Sequence, residues 1–429
     1  MRIEEKEFLS FNRNMLLHCC LLFLGICAGL WIHGYCLILV AGFTVLVALF
    51  GKLEYSYYHL LFSLPYTMIY KLSPSSTSLF AYTMLAVGAI MLFRIKRFGK
   101  RQLILIVIYF AYLLPGMGNN YTLVLKMTIG LILLYYFVMN VEPADYKNHV
   151  MSFSLGMVGS SFLGLLKTSW PRLTMYFSDM NPIWVDGEQT SRFSALYLDP
   201  NYFSVSVLFA MFLCVMLLLN KQGGRILLIP VIVALTAFGF LTYSKMFLLV
   251  FVLMMLLFIL WEARSPKRII GTLVVVLLAG GVLIQWLLKS GYVDVIIDRL
   301  SGDDISTGRF DIWKIYFEYM LEHPITLLIG DGVGAPNQSG VAPHNTYIES
   351  MYMLGIMGSA LFLLAIISIL VCRRFAIKRN IMNYALIVFF GIMAGTLGCL
   401  TNNDLLYYCM LIWIGLNFDT YQSRRVAAA

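Results

Sequence analysis

One motif repeats along almost the whole of this chain: a long apolar run, then a short polar turn. The runs fall near 15–33, 35–50, 55–72, 78–93, 102–115, 121–139, 149–166, 200–219, 226–242, 246–261, 269–288, 346–371, 381–398 and 405–418. About 20 apolar residues in helical form match the roughly 30 Å hydrocarbon core of a bilayer. Several runs are shorter, so the expected fold is an all-α polytopic membrane protein with 12–14 spans. Charged residues make up 12% of the 429 and hydrophobic residues 60%, with mean hydropathy +0.81. Soluble domains carry roughly 25% charged residues. With apolar runs throughout, the chain reads as a single transmembrane domain over 1–429.

The isoelectric point near 9.0 raises the question of a polyanionic partner. Placement of the charges answers it. With the N-terminus in the cytoplasm, one side receives Arg94/Lys96/Arg97/Lys100/Arg101, Lys221/Arg225, Arg264/Lys267/Arg268, Arg373/Arg374/Lys378/Arg379 and Arg424/Arg425. That side holds 21 of the 31 Lys and Arg but only 8 of the 22 Asp and Glu. Such asymmetry is the positive-inside signal, so both termini are expected in the cytoplasm. The basic excess therefore needs no nucleic acid. Eight cysteines without a CxxC spacing give neither a disulfide framework nor a metal signature.

Two segments on the other, outer side are long: 167–199 and 289–345. The second contains "STGRFDIWKIYFEYMLEHP" (306–324), in which Ser306 or Thr307 can cap a helix and Pro324 can stop it. Phe310, Trp313, Phe317, Met320 and Leu321 form one apolar stripe. A helix near 308–322 is thus expected to lie along the outer membrane face. Arg309, in its first turn, taken alone is a snorkelling interfacial arginine. In "SRFSALYLDPNYFS", Asp199 can cap the next span and Pro200 suits its first position. Arg192 precedes them at the outer surface. Lys245 sits in a very tight turn between apolar runs, where its charge must face water, a cavity or an anion.

The stretch "GDGVGAPNQSGVAPHNTYIESMYMLG" (330–355) closes the second segment. Its glycines Gly330, Gly332 and Gly334 lack the βαβ context of a dinucleotide site and read as a flexible loop around His344. His344 and Asn345 stand at the mouth of the next span. The positive end of that helix's dipole is expected to lower the histidine's pKa and keep it neutral and basic. Thr346-x-x-Glu349 matches a capping box, which makes Glu349 a cap before it is a catalyst. The other five histidines share no ligand spacing. Asp303-Asp304 could suggest a metal site, yet an adjacent pair in a "SGDDIST" turn serves equally as a solvated cap. No metal and no cofactor is expected.

Together, "SRFSALYLDPNYFS", Ser244-Lys245 at a helix start, "TGRFDIW" and "GDGVG…PHNTYIE…LGIMGSALF", in this order, resemble the O-antigen polymerase and O-antigen ligase superfamily. The similarity spans roughly 185–370. The resemblance implies a metal-independent, inverting glycosyltransferase of a bacterial cytoplasmic (inner) membrane, multi-pass, with its active site on the outer face. Its donor and acceptor would be undecaprenyl-diphosphate-linked oligosaccharides, surrounded by membrane lipid, and a chain-length regulator protein is a candidate partner. The family's histidine falls on His344 as the catalytic base. Its arginines fall on Arg192 and Arg309, which with Lys245 would bind the diphosphate, Asn345 and Glu349 supporting. Family members usually carry Ser-Arg where this chain has Ser244-Lys245, and lysine lacks the bidentate fork. The motifs look more like O-antigen and capsule polymerases than ligases of lipopolysaccharide synthesis, which hand the glycan to lipid A-core or another final acceptor. A transporter of the same lipid would place ionisable residues along several spans. Here they gather at the outer ends, Lys126 excepted.

Overall fold

The computed structural model describes residues 11–73, 76–94, 99–167, 169–177, 182–185, 188–262, 297, 308–373, 381–400 and 404–418. Each apolar run within these residues carries a helix, from Arg13–Trp31 to Asp404–Leu416. The run at 269–288 lies outside them. The fold is an all-α integral membrane bundle. Among the described residues its one strand pairing is a small antiparallel hairpin, Pro182–Val185 with Glu188–Ser191, which leads directly into Arg192.

Among the described residues, four helical stretches are long and apolar enough to cross a membrane: Arg13–Trp31, Lys100–Asn140, Pro200–Leu219 and Thr346–Cys372. Six further apolar helices have 10–17 residues. Burial separates inner from peripheral helices. Every residue of Asp404–Leu416 is buried, so this short helix is core. By contrast Leu24, Leu39, Phe93 and Ile226 are highly exposed on the periphery. Large apolar side chains facing outward suit a surface bathed in lipid. Some hydroxyls inside the bundle are satisfied locally: Thr128, Ser154 and Thr236 each donate to the carbonyl four residues back.

The bundle has two polar ends. Helix Tyr146–Gly164 starts where Asn148 accepts a hydrogen bond from the Asn12 N–H, and beyond its last turn Lys167 meets Ser194. Helix Thr346–Cys372 runs from Asn345 at the second end to Arg373 at the first, where Arg373 pairs with Glu142. The second end collects residues 192–202, 241–245, 344–349 and 395–400.

Helix Thr346–Cys372 is interrupted at Gly355, which has φ 64° and ψ −179°. The interruption admits the chain at Gly330 (φ 78°). A methyl at Gly355 would lie 2.5 Å from the backbone nitrogens of Gly330 and Ile329. The Asp331 and Gly332 N–H groups donate to the Tyr352 and Met353 carbonyls at 2.9 and 3.0 Å. Tyr112 Oη lies 2.7 and 2.6 Å from the Ile329 and Leu354 carbonyls. The glycine stretch is therefore pinned, contrary to the flexible loop expected from its composition. Its glycines serve left-handed backbone and close approach. Gly355→Ala should lose on the order of 1–3 kcal/mol from backbone strain alone, with the steric clash added. Thermal unfolding in detergent measures this, and an unchanged midpoint would show that the crossing opens freely.

Candidate active site

The site is built around Asp199-Pro200-Asn201. Asp199 is extended (φ −118°, ψ 126°), and its carboxylate accepts from the Asn201 N–H at 2.6 Å, capping helix Pro200–Leu219. Pro200 fills the first helical position, where a missing N–H leaves no bond unmade. Asn201 then reaches outward: its Oδ1 accepts from Arg192 Nη2 at 3.0 Å and from Ser244 Oγ at 2.9 Å. Arg192 Nε donates to the Thr242 carbonyl at 3.0 Å, and the Phe193 N–H to that of Leu241 at 3.1 Å. Arg192 is thus fastened to the tight turn before helix Lys245–Glu262. Tyr243 makes that turn with φ 48°. Lys245, half-buried, opens the helix beside Ser244.

The charge of Asp199 also acts on Arg309 and His344. Arg309 begins helix Arg309–Glu322 after Gly308, which is left-handed at φ 77°. Gly308 occupies the N-cap position, while Ser306 and Thr307 lie outside the described residues. Pro324 ends this helix by opening another, Pro324–Ile329. The apolar stripe splits in two. Met320 is buried and Trp313 half-buried against protein, whereas Phe310, Phe317 and Leu321 are exposed. Trp313 Nε1 donates to the Pro343 carbonyl at 2.9 Å, and Tyr316 Oη to that of Val341 at 2.7 Å. These bonds hold the segment that presents His344.

His344 has φ 47°, a left-handed conformation that a non-glycine residue adopts only when its surroundings impose it. Burial pushes its imidazole pKa below the usual 6.5, the Arg309 guanidinium pushes it further down, and Asp199 opposes them. The expected direction holds, but the causes are burial and Arg309. The ring is consequently neutral at neutral pH and able to accept a proton. Burial also lowers the Arg309 pKa, opposed by Asp199 and then Tyr202. An arginine starts so far above neutrality that it stays charged.

The capping box does not form as expected. Asn345 is the N-cap, its Oδ1 accepting from the Tyr347 and Ile348 N–H groups at 2.9 and 3.2 Å. Its Nδ2 donates to the Gly395 carbonyl at 3.0 Å. Thr346, inside the helix, donates to the Leu397 carbonyl and accepts from the Cys399 N–H. Glu349 is buried and accepts from the Leu400 N–H at 3.0 Å. An asparagine one position earlier is as good a cap as threonine, which leaves Glu349 to a different task. Asn345, Thr346 and Glu349 together clamp segment 395–400 under the helix mouth.

Sequence reasoning chose Arg192, Lys245, Arg309 and His344 without the groups that organise them. Asn201 and segment 395–400 carried no signal of their own, and Asp199 was legible only as a cap. Lys167 was also missed. It is buried, donates to Ser194 Oγ at 2.9 Å and lies 4.3 Å from the centre of the Phe177 ring. Burial pushes its pKa down from 10.5 to about 8. The sign follows: below pH 8 the group is charged in both states and folding bears the full penalty. Stability should rise between pH 8 and 10.5, as the folded protein sheds the proton that the unfolded chain keeps. Lys167→Met should flatten that rise in thermal melts. Asp303 and Asp304 lie outside the described residues.

Residues 230–363 match the family model described as O-Antigen ligase. The match covers Ser244-Lys245, Arg309, His344, Asn345 and Glu349, and Arg192 and Asp199–Asn201 precede it. It supports the O-antigen polymerase and ligase superfamily and a glycosyltransferase-like activity of that type. No curated relative matches the chain.

Proposed function

We propose that this chain, as a member of the O-antigen polymerase and ligase superfamily, is a polymerase that transfers an undecaprenyl-diphosphate-linked glycan onto a second lipid-linked repeat unit. The observation that carries this reading is the Asp199-Pro200-Asn201 hub. It groups Arg192, Ser244-Lys245, Arg309 and a neutral His344 at one end of an apolar bundle. Charge placement in the sequence supports an outer position for that end.

A glycosyl diphosphate departs readily once its negative charge is met. Arg309 and Arg192 contribute charge-assisted hydrogen bonds to the diphosphate oxygens, and Lys245 a point charge. His344 takes the proton from the acceptor hydroxyl as the oxygen attacks the anomeric carbon. The bond from that carbon to the diphosphate breaks, and its electron pair leaves with the phosphate oxygen. A single displacement of this kind inverts the anomeric centre. The exposed row Phe310, Phe317 and Leu321 suits contact with the lipid from which the substrate arrives.

The cation trio offers the charge neutralisation that a divalent ion supplies elsewhere, so turnover should survive exhaustive chelation with EDTA. Loss on chelation, restored by magnesium, would move the diphosphate onto a metal. The family description favours a second reading, a ligase acting on a different final acceptor. Purified protein given one lipid-linked repeat unit as sole substrate separates the readings. A ladder of chain lengths means polymerase, and reaction only after a second acceptor is added means ligase. Movement of intact lipid across the bilayer, without new glycosidic bonds, would overturn both.

A further inference from the structure

Beside the cations, across Asp199 and Tyr202, lies a cleft of about 260 Å³. Its polar side chains are Thr67, Tyr197, Asp199, Tyr202 and Asp404, and Leu64 and Leu198 are among its apolar walls. No lysine or arginine lines it. Asp404 is the informative member. It is 5% exposed, opens a wholly buried helix, and makes no hydrogen bond or ion pair among the described residues. A buried carboxyl without partners is costly, and such groups normally have a ligand, water or protein donor. Tyr202 Oη donates to the Gly398 carbonyl, which fixes the cleft's floor to segment 395–400.

We infer that this cleft seats the sugar ring of the acceptor, with Asp404 and Asp199 accepting its hydroxyl or amide hydrogens, and that it selects neutral or N-acylated sugars over anionic ones. The inference rests on the transfer reaction proposed above and assigns the acceptor side of the same site. The volume is below the roughly 300–1,000 Å³ of pockets for drug-sized ligands and suits one ring. A diphosphate is disfavoured, since the cleft offers it the Asp199 carboxylate and neither lysine nor arginine. A hydroxylated ring brings donors without charge, and a carboxylate makes its stronger hydrogen bonds to such donors. Asp199 also acts on His344, so a ring held there has a hydroxyl within the base's neighbourhood.

The test uses the full chain in lipid nanodiscs and two acceptors, undecaprenyl-diphosphate oligosaccharides ending in N-acetylglucosamine or in glucuronate. An introduced thiol, Leu198→Cys at the exposed mouth, reports occupancy by its alkylation rate, read peptide by peptide. The neutral acceptor should slow alkylation at least tenfold and the glucuronate acceptor should not. Asp404→Asn should raise the neutral acceptor's KM about tenfold and narrow the discrimination, with donor binding unchanged. Should that variant fold poorly, Leu198→Trp, which fills the mouth, should raise acceptor KM without touching Asp404. Equal protection by both acceptors, or none while the wild type still transfers glycan, overturns the acceptor cleft and leaves the transfer reaction standing. Absence of both transfer and protection overturns the two together.

Discussion

His344→Ala should lower turnover by about 10²-fold or more, the scale of a lost general base, while the lipid-linked donor still binds. In the proposed mechanism the two readouts separate because the diphosphate falls to Arg309 and Arg192 and not to the imidazole, and Arg192 is fastened through Thr242 and Asn201. The wild-type pH profile carries the same information. A base must be unprotonated, and burial and Arg309 hold the His344 pKa below 6.5. Activity should therefore be flat through neutrality and fall only on the acid side of 6.5. In His344→Ala that limb should vanish along with most of the rate. Near-normal turnover in a variant that melts like the wild type would remove His344 from the chemistry. Replacement also relieves the φ 47° strain only in part, since alanine shares the restriction, so a large stability change is not expected.

How far the sequence reveals this arrangement depends on the kind of interaction. Helices were legible because their signal is local: each apolar run carries its own period and length, as in Pro200–Leu219 with its Asp199-Pro200 start. Which helices are central was not legible. Asp404–Leu416 and Ile381–Ala394 have similar composition, yet the first is wholly buried and only half of the second's residues are. In lipid the outside is as apolar as the core, so hydrophobicity loses its power to tell them apart. The site divides in the same way. His344 stands out in the sequence by its residue type and its place at a helix mouth, whereas Arg309 alone reads as an interfacial arginine and gains a candidate role only from the resemblance. Glu349 was misread because two caps competed within one turn, and Asn345 won by bonding both N–H groups and Gly395 at once. Asn201's bridge between Arg192 and Ser244 joins residues up to 52 positions apart, and no local pattern encodes that closure.

Replacing Arg309 should give the second large effect, and it should act on the base as well as on the diphosphate. If Arg309 meets the leaving group as proposed, Arg309→Gln removes a cation from it, a loss on the order of 10²–10³ in turnover by analogy with other preorganised charge-stabilising groups. It also removes one of the influences that lower the His344 pKa. The pKa must then rise toward its ordinary value, and the acid limb of kcat/KM must move to higher pH. Burial, the largest cause, remains, so the shift should be partial. Asp199→Asn should move the limb oppositely, because Asp199 holds the pKa up, and asparagine keeps the helix cap intact. Arg309→Lys retains charge but loses the fork. It should leave the limb near its wild-type position while still lowering turnover. Arg192 cannot make this separation: its Nε and Nη2 bonds anchor the turn before Lys245, so lysine there disturbs the frame as well as the ligand. Opposite shifts for Arg309→Gln and Asp199→Asn, measured on folded protein, would tie the titrating group to the place between them, which is His344. Identical profiles in all three variants would mean that the group limiting the rate titrates elsewhere.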